Sequence, residues 1–180
     1  MKKLILIFAF FVIGQTHSNA QMLKFGVKAG ANFASLEGDG VEGLDTYTSF
    51  HFGALLELKL FENFSVQPEL LYSSQGAKVN SDAFDDINFN YVTVPVLAKF
   101  YLISDKLSVE AGPQFSFLID DNVSDQFKTE SFDFAAVGGL GLNITNNIFA
   151  QARYVVGLTE ASKEAEVKNR VIQVSLGYRF

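Results

Sequence analysis

At 180 residues with 20 acidic and 14 basic side chains, the chain has the size of one domain, and its net charge of −6 argues against a nucleic-acid partner. It contains no cysteine, which rules out both a disulfide framework and a lipid-bearing cysteine. Beyond the first residues no stretch approaches about 18 uninterrupted apolar residues, so membrane-spanning helices are excluded, whereas strands of about 9–11 residues are not.

The chain opens with Lys2 and Lys3, continues with an apolar run over 4–14, and reaches small residues at Ser18 and Ala20. This is the layout of a secretory signal peptide covering 1–20, and the run is too short for a spanning helix, which needs about 20 residues. Cleavage would leave a mature domain of residues 21–180, with 12 basic against 20 acidic side chains.

Eight segments then alternate apolar and polar residues with a period of two, the signature of strands that present two unlike faces. They lie at 24–34, 49–60, 64–75, 88–101, 107–118, 132–143, 148–158 and 170–180. The first sets Phe25, Val27, Ala29, Ala31 and Phe33 against Lys24, Gly26, Lys28, Gly30 and Asn32. The second sets Phe50, Phe52, Ala54, Leu56, Leu58 and Leu60 against His51, Gly53, Glu57 and Lys59. Polar positions continue with Gln67 and Glu69 in the third, Glu110 and Gln114 in the fifth, and Gln151 and Arg153 in the seventh. Lys99 and Asp133 set the phase of the fourth and sixth. The eighth alternates Ile172, Val174, Leu176, Tyr178 and Phe180 with Gln173, Ser175, Gly177 and Arg179.

Connections after segments one, three, five and seven are long (35–48, 76–87, 119–131, 159–169), and the others are short (61–63, 102–106, 144–147). That rhythm predicts an all-β, eight-stranded, antiparallel up-and-down transmembrane β-barrel, with long external loops and short periplasmic turns. An even number of strands puts both ends of the mature chain in the periplasm. The apolar faces would then meet lipid. Phe25, Phe33, Phe50, Phe100, Tyr101, Tyr154, Tyr178 and Phe180, near strand ends, are expected in the aromatic girdles at the headgroups. Pro68, Pro95 and Pro113 fall inside strands, where each lacks a ladder donor, so bulges or irregular pairing are expected there.

The stretches V-Q-P-E-L-L-Y-S-S-Q-G (66–76), V-P-V-L-A-K-F-Y-L (94–102), V-E-A-G-P-Q (109–114) and A-R-Y-V-V-G-L-T (152–159), with the terminal G-Y-R-F, carry a family likeness. Together they resemble the small outer-membrane β-barrels abundant in Bacteroidetes-type bacteria, the porin-family or PorT-like proteins, similar in architecture to OmpA- and OmpX-type barrels. The resemblance implies an outer-membrane location among lipid and lipopolysaccharide, and no catalytic role. It also implies that Tyr178 and Phe180 help the barrel-assembly machinery recognise the chain.

The polar phase collects Lys28, Glu57, Lys59, Glu69, Lys99, Glu110, Asp133, Arg153 and Arg179 toward the lumen. An eight-stranded barrel has only enough interior for side chains to fill, and charges buried there must pair. An ion-pair network plugging the lumen is therefore expected, with inward glycines making room for long arms. The same residues in an open arrangement would line a narrow porin. A soluble, lipocalin-like ligand-binding barrel is the third reading.

Nothing in the sequence points to an enzyme, a cofactor or a resident metal. His51 is expected to fill the lumen as a hydrogen-bonding group, and Ser73 and Ser74 have no triad partners in any readable motif. Residues 35–48 hold four acids and no base, and 119–131 hold four acids against Lys128. E-G-D-G at 37–40 is too short for an EF-hand loop, and such charge is expected as solvated loop surface. The expected role is structural, with surface interaction through loops whose ligand the sequence does not identify.

Overall fold

The computed structural model describes residues 23–37, 44–45, 47–79, 87–103, 105–121, 132–158 and 168–180. The expected signal peptide and half of the acidic loop positions (Asp39, Glu42, Asp125 and Glu130) lie outside the described residues. The strands are β1 (Leu23–Glu37), β2 (Leu44–Asp45), β3 (Tyr47–Phe61), β4 (Phe64–Val79), β5 (Ile87–Ile103), β6 (Leu107–Asp121), β7 (Phe132–Asn143), β8 (Ile148–Gly157) and β9 (Lys168–Arg179). All but β2 correspond to the eight alternating segments. Several run a few residues farther at the end bearing the long connections. The two-residue β2 is an addition that the alternation did not signal; it pairs with the far end of β4, Leu44 opposite Val79.

The eight long strands pair antiparallel with their neighbours, and β4 also pairs with β5, so the sheet closes on itself. Closure leaves no unpaired edge for lipid to meet, which is the condition for a sheet to cross a bilayer. Following paired residues once around the ring runs Leu23, Leu58, Val66, Ala98, Ala111, Gly138, Tyr154, Ile172 and back to β1 at Phe33. The ladder thus returns ten residues from where it began. That stagger tilts the strands by roughly 35–45° and fixes the bore.

The prolines interrupt pairing without shifting it. Around Pro68 the β3–β4 ladder lapses between Leu55–Glu69 and Leu58–Val66, while Pro68 still pairs with Val96 on its other side. Pro95 faces a lapse toward β4 and Pro113 one toward β5, and each keeps its partner on the opposite neighbour. A residue directs its N–H at one neighbour only, so a proline costs the ladder on one side. Register shifts occur elsewhere, at Lys59/Phe61, Asn90/Tyr91 and Tyr101/Ile103. In the β5–β6 turn Asp105 takes the left-handed conformation, φ 59°, which aspartate tolerates better than most side chains.

Burial is inverted relative to a water-soluble barrel. Phe50, Phe52, Leu70, Ile172, Val174 and Leu176 are exposed, while Lys28, Glu69, Glu110 and Arg153 are buried. An apolar surface that surrounds the barrel requires an apolar solvent, and lipid supplies it. Tyr101 corrects one expectation: it is buried in the lumen, because its neighbour Phe100 takes the lipid-facing position and successive side chains alternate.

Val174 lies midway along β9 on this outer face, so Val174→Arg is expected to cost about 2–4 kcal/mol at the bilayer midplane. Reversible urea unfolding in lipid vesicles measures it. A shift below 0.5 kcal/mol would count against a lipid-facing Val174.

Candidate functional site

Inside the barrel, residues paired across successive strands line up into lateral rows that spiral with the stagger. One such row runs Lys99, Glu110, Gly139, Arg153, Gln173, Asn32 and Ser49, through β5, β6, β7, β8, β9, β1 and β3. Every side chain in it is polar or absent. The glycine has a spatial reason: a Cβ on Gly139 would crowd the Arg153 side chain at 2.8 Å.

Arg153 reaches from β8 to Glu69 on β4, four strands away around an eight-strand ring and so on the opposite wall. The contact is bidentate, Nη1 donating to Oε2 at 2.8 Å and Nη2 to Oε1 at 2.7 Å. Arg153 Nε donates to Glu110 Oε1 on β6 at 2.8 Å. Lys28 on β1 contacts Glu69 Oε2 at 2.8 Å, and Gln151 donates to Glu110 Oε2 at 3.1 Å. Gln67 also donates to Glu69 Oε1. Both carboxylates therefore have both oxygens engaged. Full satisfaction is the condition under which buried charge is tolerable.

A second group centres on Glu57 nearer the short turns. It accepts from the Tyr101 hydroxyl, and lies 3.1 Å from Arg179 Nε and 3.8 Å from Lys99 Nζ. The Arg179 contact is an ion pair without hydrogen-bond alignment, which leaves Arg179 Nε and Glu57 Oε2 without a directional partner. The Arg179 guanidinium sits 4.3 Å from the centre of the Phe149 ring, and its Nη2 donates to Asn143 at 3.0 Å. Lys99 joins the two groups by donating to Gln67 at 3.0 Å.

A third cluster carries no formal charge on its neighbours. His51 Nδ1 lies 2.7 Å from Asn32 Oδ1, and Nε2 lies 2.7 Å from Ser175 Oγ. Asn32 Oδ1 can only accept, so this network assigns the ring proton to Nδ1 and leaves Nε2 to accept from the serine. Both ring nitrogens are thereby engaged.

Of the nine charged residues expected to point inward, seven meet in these contacts: Lys28, Glu57, Glu69, Lys99, Glu110, Arg153 and Arg179. Lys59 does not join them. It sits at the rim beside the β5–β6 turn and pairs with Asp105 at 2.7 Å, both partly exposed. Asp133 lies half-buried at the other end of β7, well along the strand from Gly139, which faces Glu110. Tyr178 and Phe180 face outward, their rings edge-to-face at 5.4 Å, and Phe180 stacks on Phe25 at 5.8 Å. Sequence reasoning overlooked Tyr101 and Phe149 as lumen residues. Strand phase carried the signal for Phe149, which precedes outward Ala150, and Gly177 opposite it leaves the ring its space.

The chain belongs to a known family: the outer membrane protein beta-barrel domain matches residues 14–163. No curated protein sequence matches it. Among solved structures it is similar to Ail, the attachment invasion locus protein of Yersinia pestis, at 18% identity over 87% of this chain and 98% of that one, with a TM-score of 0.59. Neisserial surface protein A is similar at 15% identity over 87% and 97%, TM-score 0.61. OprG of Pseudomonas aeruginosa is similar at 12% identity over 87% and 95%, TM-score 0.54. At such identities the likeness concerns the fold, an outer-membrane β-barrel crossing with its strands.

Removing one partner of a buried pair strands the other, so Arg153→Ala is expected to destabilise by about 3–5 kcal/mol. Lys59→Ala, at the wet rim, should cost about 0–1 kcal/mol. Urea midpoints of the two variants, refolded side by side in the same lipid, compare them. Equal losses would mean that Arg153 is not the better-buried anchor.

Proposed function

We propose that this member of the outer-membrane barrel family is a closed, non-conducting barrel with a structural role, meeting its surroundings through its external loops. The Arg153–Glu69 clamp carries this reading, because it joins opposite walls of the lumen by two hydrogen bonds of 2.7–2.8 Å. Lys28, Glu110 and Gln151 brace it from other strands. An ion would have to displace paired charges to pass, and buried pairs resist that displacement. The outward apolar face and the charge-filled lumen both speak against a lipocalin-like cavity for an apolar ligand.

In this reading residues 1–20 direct export, lipid and lipopolysaccharide surround the barrel, and Tyr178 and Phe180 serve recognition by the barrel-assembly machinery. The role is non-enzymatic. In support, the His51 ring is buried, with both nitrogens held by Asn32 and Ser175, so it is placed as a structural group. Ail is known in complex with the heparin analogue sucrose octasulfate. The present chain carries four acids and no base in residues 35–48, a composition that disfavours a polyanion. A loop ligand of positive or metal-bridged character fits it better.

Single-channel recording of refolded residues 21–180 in a planar bilayer tests the central point. Silence is expected from protein that shows the heat-dependent gel shift of a folded barrel. Reproducible conductance steps would put the narrow porin in its place and turn the inward charges into selectivity residues.

A further inference from the structure

The row directly above the polar one, toward the long connections, differs in chemistry. It runs Gly112, Val137, Val155, Val171, Ala34 and Tyr47 through β6, β7, β8, β9, β1 and β3, each paired to the next. No residue in it carries a formal charge. Val137, Val155, Val171 and Ala34 are buried and in mutual contact. Leu97 joins them from β5, which stands opposite β9 in the ring, and is fully buried. Gly112 admits the neighbouring β5 backbone, since a Cβ there would run into the Val96 carbonyl oxygen and crowd the Leu97 Cα at 3.0 Å.

We propose that this apolar layer is a second barrier to ions, separate from the ion-pair plug beneath it and sufficient by itself. The proposal rests on the reading of the lumen as closed, and adds that undoing the salt bridges does not open it. Its physical basis is dehydration. An ion level with Val155 and Leu97 must shed water where these side chains offer no oxygen or nitrogen in exchange, and narrow apolar constrictions exclude ions by drying. The charged groups beneath do not supply those ligands, because Arg153, Glu69 and Glu110 are already engaged with one another and with Gln151. The position also makes sense of the valines. The row beneath holds Arg153, Gln173 and Asn32 on β8, β9 and β1, where Val155, Val171 and Ala34 stand two residues farther along the same strands.

Four proteins, each refolded in lipid as residues 21–180 and checked for the gel shift, separate the barriers. They are the unaltered chain, Glu69→Gln with Arg153→Met, Leu97→Ser with Val155→Ser, and the combination of all four substitutions. The first three are expected to be silent in planar bilayers and the fourth to give reproducible steps. Conductance from the Glu69→Gln/Arg153→Met protein would overturn the proposal while leaving the closed native barrel intact. Conductance from the unaltered chain would overturn the closed-barrel reading itself. Silence from a folded fourth protein would also overturn the proposal, since neither layer would then be what bars ions. If the fourth protein fails to fold, Leu97→Thr/Val155→Thr replaces the serine pair and keeps volume closer to native.

Discussion

A guanidinium at the axis of a membrane-spanning barrel has no water to spread its charge into, so the fold must bring carboxylates to it from other walls. Arg153 receives Glu69 from the facing wall and Glu110 from two strands away. These contacts exist only in one register. Slipping a strand by one residue would turn Glu69 out to lipid and Leu70 in, stranding Arg153 and exposing a carboxylate to hydrocarbon at the same time. The pairing is thus a register lock, in which three strands far apart in sequence agree on a single stagger. Lys28 and Gln151 add β1 to the agreement. The ten-residue stagger of the ladder is the geometric form of that agreement.

The backbone answers to the same absence of water. Closure between β4 and β5, and between β1 and β9, gives edge strands partners where lipid offers none. The three prolines work against closure, yet their lapses fall on consecutive interfaces, β3–β4, β4–β5 and β5–β6. The side chains beside those lapses include Glu57, Gln67, Glu69 and Leu97, each held by inward contacts to other strands. Where the ladder is weakest, side-chain contacts through the interior hold the wall in place. Loss of Glu69 should therefore be felt in the wall itself as well as in the plug.

Most of the fold was legible because a strand between lipid and a filled lumen has two unlike faces, and their alternation is written in the sequence. Segments such as 49–60 and 64–75 needed no more than a period of two, and the short connection at 61–63 set them apart. The long connections gave direction, since only one end of such a barrel keeps them. At the prolines bulges or irregular pairing are expected, and irregular pairing is what occurs; the side on which each ladder lapses depends on where the N–H would point, and pairing is not local. Inward charges could be collected by phase, but their partners could not be assigned. Lys59 shows why: it shares the phase of Glu57, yet it stands at the rim and reaches a turn residue, Asp105. Height along the barrel separates these roles, and height follows from the stagger, which only the closed ring reveals. Tyr101 was misplaced for a related reason, since aromatic residues near a strand end suit both a girdle and a lumen.

Filling the lumen has a consequence for where this protein can act. Side chains that clamp one another across the bore are unavailable to a ligand, and exchanging them would cost the register they enforce. The outer wall is committed to lipid in the same way. The external connections escape both demands, because neither closure nor neutralisation depends on their sequence. They also depart most from the rest of the chain in composition: 35–48 and 119–131 together hold eight acids and one base. The strand ends that carry these connections share one rim of the barrel. A field of one sign in such a small area draws cations toward it and repels polyanions. Division of labour between a wall fixed by physics and loops free of it is what lets one barrel design carry unrelated surface chemistries.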